Sequence, residues 1–293
     1  MFQHALVFLM IVAQAPMAPP RGVSLGDAAR RIRADRKEQL AAQDEMLRHV
    51  LRVSGLEKQI DDFPKILSEA FNRQMPNLDS RFTEKYKQAV LASFTSAKIG
   101  SSFTDTFSRQ MGYSALADVL PWLESPVGRK VTAAEDRDPD FVTNRRNRSD
   151  FAVRIQQEPP SANRVRLIKE MEIQLQSADH EAGIILTMMR ALVSSIAPSD
   201  PRGAFAADLV RSPGFERGFR EVLAPELEKS NALSDLYVYS TLSDAELEQY
   251  VQFLSSPPGQ RMNRAIWSGF EHSLEAASVE LGTRLAHLPP EQP

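Results

Sequence analysis

A short motif occurs twice in this chain, and it restricts the possible folds more than any other feature of the sequence. Residues 119–131 align with residues 250–262 at a constant offset of 131 positions. Both copies read aromatic-Leu-x-Ser-Pro-x-Gly-x-basic. The matched positions are Trp122, Ser125, Pro126 and Gly128 in the first copy and Phe253, Ser256, Pro257 and Gly259 in the second. Repetition at a fixed spacing indicates that one structural unit has been duplicated.

Backbone chemistry predicts a helix corner at each copy of the motif. The residue before a proline avoids helical dihedral angles, so one helix is expected to end at the serine. Serine is a favoured N-cap and proline a favoured first helical residue, so the next helix is expected to begin at the proline. The glycine, which lacks Cβ, lets a neighbouring helix approach closely. The aromatic residue is expected to fill the corner, and the motif therefore predicts a structural role.

The remainder of the chain has the apolar spacing of amphipathic helices. No segment shows the sustained alternation that would predict strands. A stripe beginning at Leu47 is interrupted at Ser54-Gly55, where a break is predicted, and a last helix is predicted from Arg261 to about Ala286. The sequence thus predicts an all-α fold, in which two diverged copies of a multi-helix unit pack together, each with a Ser-Pro-x-Gly corner.

One helix start is especially well marked. Ser243 and Glu246 have the spacing of a capping box, in which the serine hydroxyl and the glutamate carboxylate satisfy each other's backbone N–H groups. Leu242 and Leu247 can pack together as the accompanying hydrophobic staple. These residues predict that a helix starts at about Asp244.

The predicted organisation places one helical repeat at residues 38–136 and a second at 163–288. The polar stretch between them, 137–162, is expected to be a connection. A basic segment at 21–37, which directly follows Pro19 and Pro20, is expected to be flexible, and 289–293 are expected to form a tail.

The first twenty residues have the character of a secretory signal peptide. They contain no charged side chain, and an apolar core at Ala5–Ala13 leads to an Ala-x-Ala pattern, although the usual basic residue near the start is missing. A disordered or packed apolar N-terminus is the alternative interpretation. Because no later stretch approaches ~18 uninterrupted apolar residues, no transmembrane anchor is expected in the mature chain. These features predict a periplasmic or secreted protein.

The second motif and its surroundings resemble a known family. From Tyr239 to Met262 the chain reads Tyr-x-x-Leu-Ser-Asp-x-Glu-Leu-x-x-Tyr-x-x-Phe-Leu-x-Ser-Pro-x-Gly-x-Arg-Met. This stretch is similar to the hallmark of the exported bacterial domain-of-unknown-function 2059 family, and Trp122 to Val131 resembles a weaker second copy. The resemblance implies a secreted or periplasmic all-helical domain, and it brings no catalytic residues.

Composition and motifs exclude several classes of function. The chain has no cysteine, which rules out disulfides, thiol nucleophiles and thiolate metal sites. A formal net charge of −3 supplies no global field for nucleic acid, and the basic runs lack aromatic neighbours, so no nucleic-acid partner is expected. No phosphate-binding or dinucleotide motif is present, so no cofactor is predicted.

Candidate catalytic and metal-binding residues are scarce. The densest cluster, Asp179-His180-Glu181, is not expected to hold a metal because adjacent helical residues diverge by about 100°. His180 is therefore predicted to be a solvated surface residue. Carboxylates are not expected on apolar faces, where burial would raise their pKa, and Glu275 and Glu280 are expected to face solvent. The sequence predicts neither a catalytic nor a metal site.

These observations favour a non-enzymatic envelope or secreted module that binds a protein, peptide or lipidic ligand in a groove between its two halves. One alternative is a hydrolase or other enzyme whose site is assembled from distant segments near Arg129, Lys130 and Arg261. A pocket holding a histidine or carboxylate within hydrogen-bond reach of a serine or tyrosine would favour that alternative. Another alternative is a homodimer formed through the last helix, with Phe270 on its interface.

Overall fold

The computed structural model is almost entirely helical over the residues it describes, with no strand among them, which confirms the predicted all-α fold. The described residues are 25–74, 80–136, 145–196 and 201–287. The predicted signal peptide at 1–20 and the tail at 289–293 lie outside them. Within the described ranges, no helix combines the length and hydropathy that a membrane crossing requires.

The helices are numbered in chain order. In the N-terminal half they are α1 (Leu25–Val53), α2 (Leu56–Gln74), α3 (Ser80–Ser93), α4 (Ser96–Gln110), α5 (Tyr113–Leu123) and α6 (Pro126–Asp136). In the C-terminal half they are α7 (Arg145–Gln157), α8 (Ala162–Leu175), α9 (Ser177–Ile196), α10 (Pro201–Arg211), α11 (Pro213–Val238), a 3₁₀ turn (Tyr239–Thr241), α12 (Asp244–Ser255) and α13 (Pro257–Ala286). The described residues divide between Asp44 and Glu45 into two compact units.

Two predictions near the N-terminus have different outcomes. The break at Ser54-Gly55 is present, since α1 ends at Val53 and Gly55 has a φ of +76°, in the left-handed region that glycine adopts most easily. The segment 21–37, expected to be flexible, is instead helical from Leu25. Its Ala, Arg, Leu and Lys residues are good helix formers, and the charged character that suggested flexibility does not oppose a helix. The predicted connection at 137–162 contains α7 and the start of α8.

The two Ser-Pro-x-Gly segments form helix corners with matching hydrogen bonds. The Oγ atoms of Ser125 and Ser256 accept from the backbone N–H groups of Gly128 at 2.9 Å and Gly259 at 3.2 Å. Ser256 has extended dihedral angles, and α13 begins at the next residue, a proline. In each corner the glycine lies directly against the backbone of the preceding helix, so that helix is the close neighbour that glycine permits.

The corner aromatic residues pack on each other across the molecule. The rings of Trp122 and Phe253 are stacked, with centroids 4.8 Å apart and planes 9° from parallel. Each ring therefore contacts the aromatic residue of the other corner, a contact that the sequence did not predict. Both residues contact the two hydrophobic cores of the chain.

The two cores are built from helices of both predicted repeats. The larger core joins α1, α2, α3, α4 and α5 to α13, while the smaller core joins α6 to α8 and α12. The helix that follows each corner thus packs with the other half of the chain. In α13 the apolar face is used for this packing, and Phe270 lies 4.8 Å from the buried ring of Phe103. Phe270, the residue expected at a dimer interface, therefore packs against the larger core of its own chain.

The start of α12 is held by its own capping box and by an ion pair. Ser243 Oγ accepts from the N–H of Glu246, whose carboxylate in turn accepts from the N–H of Ser243. Lys130 Nζ donates to the same carboxylate at 2.7 Å and ties α6 to α12. These contacts lower the pKa of Glu246 to about 2, with the hydrogen bond from Lys130 as the largest cause.

Replacing Lys130 with methionine is expected to raise the pKa of Glu246 from about 2 toward 4.5, the usual value for glutamate. The capping box remains, so the pKa stays below that value. Carbon-detected NMR titration of the Glu246 carboxyl group measures the change. Lys58→Met, which removes an ammonium group paired with Asp62 instead, is the control. An unchanged Glu246 pKa in Lys130→Met would show that the ion pair does not form in solution.

Candidate ligand-binding cleft

A cavity of about 260 Å³ lies between α2, α5, α6, α12 and α13, next to the stacked corner residues. We call it the aromatic cavity. Trp122 lies in its wall and stacks with both Phe253 and Tyr250. The ring centroids of Trp122 and Tyr250 are 6.0 Å apart, and their planes are 5° from parallel. Trp267 and Phe270 from α13 complete its aromatic lining. Both tryptophans of the chain therefore line this cavity.

A carboxylate and two tyrosines form the polar end of the aromatic cavity. Glu135, in the last turn of α6, accepts hydrogen bonds from Tyr239 Oη at 2.7 Å and Tyr250 Oη at 3.2 Å. Burial raises the pKa of Glu135, although the two hydroxyl donors oppose the shift. Burial and the nearby Glu135 carboxylate also raise the pKa of both tyrosines well above 10. The tyrosines are thus neutral hydrogen-bond donors at physiological pH.

A second, more open space of about 610 Å³ adjoins the first. We call it the acidic cleft because Glu135, Asp136, Glu181 and Asp235 line it. The two spaces share five lining residues. These are Gln59, Glu135, Tyr239, Trp267 and Phe270. The aromatic cavity and the acidic cleft are therefore neighbouring parts of one site.

Helix geometry brings the acidic groups together from three helices. Glu181 is in the second turn of α9 and Asp235 is near the end of α11, and these two helices pack on each other. Glu135 is in the last turn of α6, which contacts the 3₁₀ turn. Burial is the largest cause that raises the pKa of Asp235 well above its usual value, and Glu172, Glu135 and Glu181 add to the shift. Burial likewise raises the pKa of Glu181, against a hydrogen bond from Asn231 at 3.3 Å. The carboxyl groups therefore bind protons more readily than ordinary acids.

His180 is half-buried, and its predicted solvation was wrong. Its ring stacks on Trp267 with centroids 5.0 Å apart and planes 13° from parallel. Burial lowers its pKa, which favours the neutral ring. Its neighbours diverge as expected, with Asp179 exposed and Glu181 lining the acidic cleft. Among the described residues, no group of three histidines or carboxylates is arranged to hold a metal ion.

The basic residues near the corners do not form a common site. Lys130 pairs with Glu246, Arg261 lies 3.8 Å from Asp118, and Arg129 Nε donates to the backbone oxygen of Glu124 at 2.8 Å. Of the motif residues, Trp122, Gly128, Phe253 and Gly259 line the aromatic cavity. The serines, prolines and Glu246 instead form helix caps and starts.

The expectation that no carboxylate lies on an apolar face was wrong for Glu135, Glu181 and Asp235. A signal for Glu135 is present in the sequence, since it follows the buried Val131 by four positions and so shares its helix face. Glu181 similarly precedes Ile184 and Ile185 by three and four positions. Glu280 is also not simply solvated, because it accepts from Lys98 Nζ at 2.5 Å and from Arg284 at 2.6 Å.

No protein-family model matches this chain, and the comparisons with curated proteins and with solved structures return no match. The similarity to the domain-of-unknown-function 2059 family therefore stays a prediction.

Proposed function

We propose that this protein is a non-enzymatic, exported binding module, which takes up a small amphipathic ligand in the aromatic cavity and the acidic cleft. The observation that supports this most is the shared lining of the two spaces. An apolar, aromatic chamber with a few convergent polar groups is typical of small-molecule sites. The aromatic cavity can bury an apolar group, while the neighbouring cleft offers polar contacts. The character of residues 1–20 supports a periplasmic or secreted location.

The contact between Glu135 and the two tyrosines also bears on an enzymatic function. A carboxylate within hydrogen-bond reach of tyrosine, inside a cavity, is the arrangement that favours the enzyme alternative. A catalytic tyrosine, however, usually needs a lowered pKa or an adjacent base that can take its proton at neutral pH. Glu135 is adjacent, but burial and its carboxylate raise the pKa of both hydroxyls well above 10, so the protons stay on the tyrosines. The cluster therefore supports ligand binding better than proton transfer.

Filling the aromatic cavity is expected to weaken binding of an apolar probe. Ile266 of α13 lines the cavity, and Ile266→Phe places additional volume there. We expect N-phenyl-1-naphthylamine, a neutral fluorescent probe, to bind the unaltered protein saturably and to quench Trp122 and Trp267. Ile266→Phe should weaken this binding at least about tenfold, which corresponds to ~1.4 kcal/mol. Tryptophan emission and probe emission measure the same titration.

Val279→Phe is the matched control, because Val279 lies on the same helix and is 46% exposed. Its probe affinity should remain that of the unaltered protein. Circular dichroism and thermal unfolding establish that both variants are folded. Equal probe affinity in the two variants, or no saturable binding to the unaltered protein, would contradict the proposal.

A further inference from the structure

The acidic cleft contains an excess of carboxylates over cationic groups. Lys58 is the only basic residue among the described residues that line the cleft, and its ammonium group is 2.7 Å from the carboxylate of Asp62. The other carboxylates that line the cleft make no ion pair with a described basic residue at a distance under 4 Å. These carboxylates are Glu135, Asp136, Glu181 and Asp235. When these groups are ionised, the described residues balance their negative charge only at the end of the cleft where Lys58 lies.

Asp235 distinguishes this cleft from an ordinary cluster of surface acids. Its carboxylate makes no hydrogen bond or ion pair with any described residue, although Asp235 lines the cleft and is only partly exposed to solvent. The Oδ1 atom of Asp136, in the same lining, is fully buried and also has no hydrogen-bond partner among the described residues. Buried polar groups in folded proteins nearly always have partners, and an unpaired carboxylate is costly. The three groups that act most strongly on Asp235, which are Glu172, Glu135 and Glu181, are also acidic. Asp235 thus has strong unused capacity to accept from a positively charged donor.

The walls of the acidic cleft indicate what kind of cation fits. Phe63, Ile184 and Ile185 line it, together with Trp267 and Phe270 from the shared boundary. A metal ion needs several converging oxygen or nitrogen ligands, and no such group is found in the described part of the chain. Ammonium and guanidinium groups instead combine hydrogen-bond donation to carboxylates with favourable contacts to aromatic faces. The lining therefore suits a cation that carries an apolar body.

We infer that the acidic cleft binds the ammonium or guanidinium group of an amphipathic organic cation, whose apolar part enters the aromatic cavity. This inference rests on the proposed function and specifies its ligand class. Asp235 and Glu181 accept from the cationic group, and Trp267 and Phe270 contact the junction between the two parts of the ligand. Binding relieves the repulsion between the carboxylates, so the charge that is unfavourable in the free protein contributes to affinity.

Three probes with the same eight-carbon chain test the inference. Octylamine is a cation at pH 7.5 because alkylamines have a pKa near that of lysine, about 10.4. Octanol is neutral and octanoate is an anion. We expect isothermal titration calorimetry, below the concentrations at which the probes aggregate, to give octylamine at least about tenfold higher affinity than octanol, with octanoate weakest.

Two charge-removing variants locate the effect in the acidic cleft. Asp235→Asn and Glu181→Gln should each weaken octylamine binding about tenfold and leave octanol affinity unchanged within about twofold. Glu275→Gln removes an exposed carboxylate from α13 and should change neither affinity. If Asp235→Asn does not give the helical circular dichroism of the unaltered protein, Glu181→Gln provides the decisive comparison.

The outcomes separate the inference from the proposed function. The inference of a cationic ligand would be overturned if octanol bound as tightly as octylamine, or if the affinity for octylamine were unchanged in both cleft variants. Either result would leave the proposed binding function intact. If N-phenyl-1-naphthylamine does not bind saturably to the unaltered protein, the proposed function fails and the inference fails with it. Selective loss of octylamine affinity in the cleft variants supports both.

Discussion

Gly259→Ala is expected to lower the free energy of unfolding by more than about 3 kcal/mol. A Cβ atom at this position would lie 2.8 Å from the carbonyl carbon of Phe253 and 3.1 Å from the Cα of Leu254, with the Phe253 oxygen closer still. These are backbone atoms at the end of α12, so no side-chain rotation can relieve the overlap. The corner between α12 and α13 has to open, which separates helices that belong to both cores. Urea denaturation followed by circular dichroism measures the loss.

The other corner and a glycine in open space supply the comparison. Gly128→Ala should be similarly destabilising, because its Cβ would lie 2.9 Å from the carbonyl carbon of Trp122. Gly218→Ala should instead stabilise the protein by about 0.5–1 kcal/mol, since Gly218 is inside α11, with no atom within 4 Å of the added methyl group, and alanine favours helix. A loss below about 1 kcal/mol at either corner would contradict the close packing of the glycine against the preceding helix.

The corners also show which structural features can be predicted from the sequence. Helix ends depend on residues only a few positions apart, such as Ser256 and Gly259 or Ser243 and Glu246, and local backbone chemistry determines what these residues do. The break at Gly55 follows from the same local logic, because glycine adopts a positive φ readily. Such features could therefore be predicted at nearly single-residue accuracy.

The binding site depends on a different kind of information. Trp122 meets Phe253, and Tyr239 meets Glu135, across more than a hundred positions of sequence. Spacing within one helix indicates that Glu135 shares a face with Val131, but not that two tyrosines will meet it there. The cleft could not be derived from the sequence because it requires the packing of α6, α9, α11 and α13 to be known first.

The acidic groups are difficult to explain as contributions to stability. An unpaired carboxylate in a low-dielectric setting destabilises the folded state, and apolar residues of similar size at such positions are often neutral or stabilising. In this protein, Glu181 and Asp235 lie beside Ile184, Ile185 and Val238, among which apolar side chains would pack readily. Their presence at the edge of an aromatic cavity is consistent with a role in recognition, where strain in the free state increases selectivity for a matching charge.

The double variant Tyr239→Phe/Tyr250→Phe is expected to lower the free energy of unfolding by about 3 kcal/mol at pH 8, because each hydroxyl donates to a charged and enclosed acceptor. Without these donors, the ionised Glu135 has no hydrogen-bond partner among the described residues. Each single variant should lose roughly half as much, and chemical denaturation at fixed pH measures all three.

The pH dependence follows from the raised pKa of Glu135. A carboxyl group whose pKa is higher in the folded protein contributes stability below its unfolded pKa, and that contribution is lost as the pH rises through the folded pKa. The hydroxyl donors limit this loss, since they favour the charged form. Their removal raises the folded pKa further, so the double variant should resemble the unaltered protein near pH 4 and fall increasingly below it toward pH 8.

Replacing Glu135 itself separates the effect of its charge on stability from the effect of the two tyrosine hydroxyls. If the penalty comes from an unpaired charge, adding Glu135→Met to the double variant should recover most of the stability at pH 8, because the charge has been removed and the methionine fills a similar volume. A penalty that is equally large at pH 4, or that persists after Glu135→Met, would mean that the tyrosine hydroxyls contribute mainly to other contacts. Full recovery would instead establish that Tyr239 and Tyr250 keep an otherwise unfavourable carboxylate ionised at the boundary between the aromatic cavity and the acidic cleft.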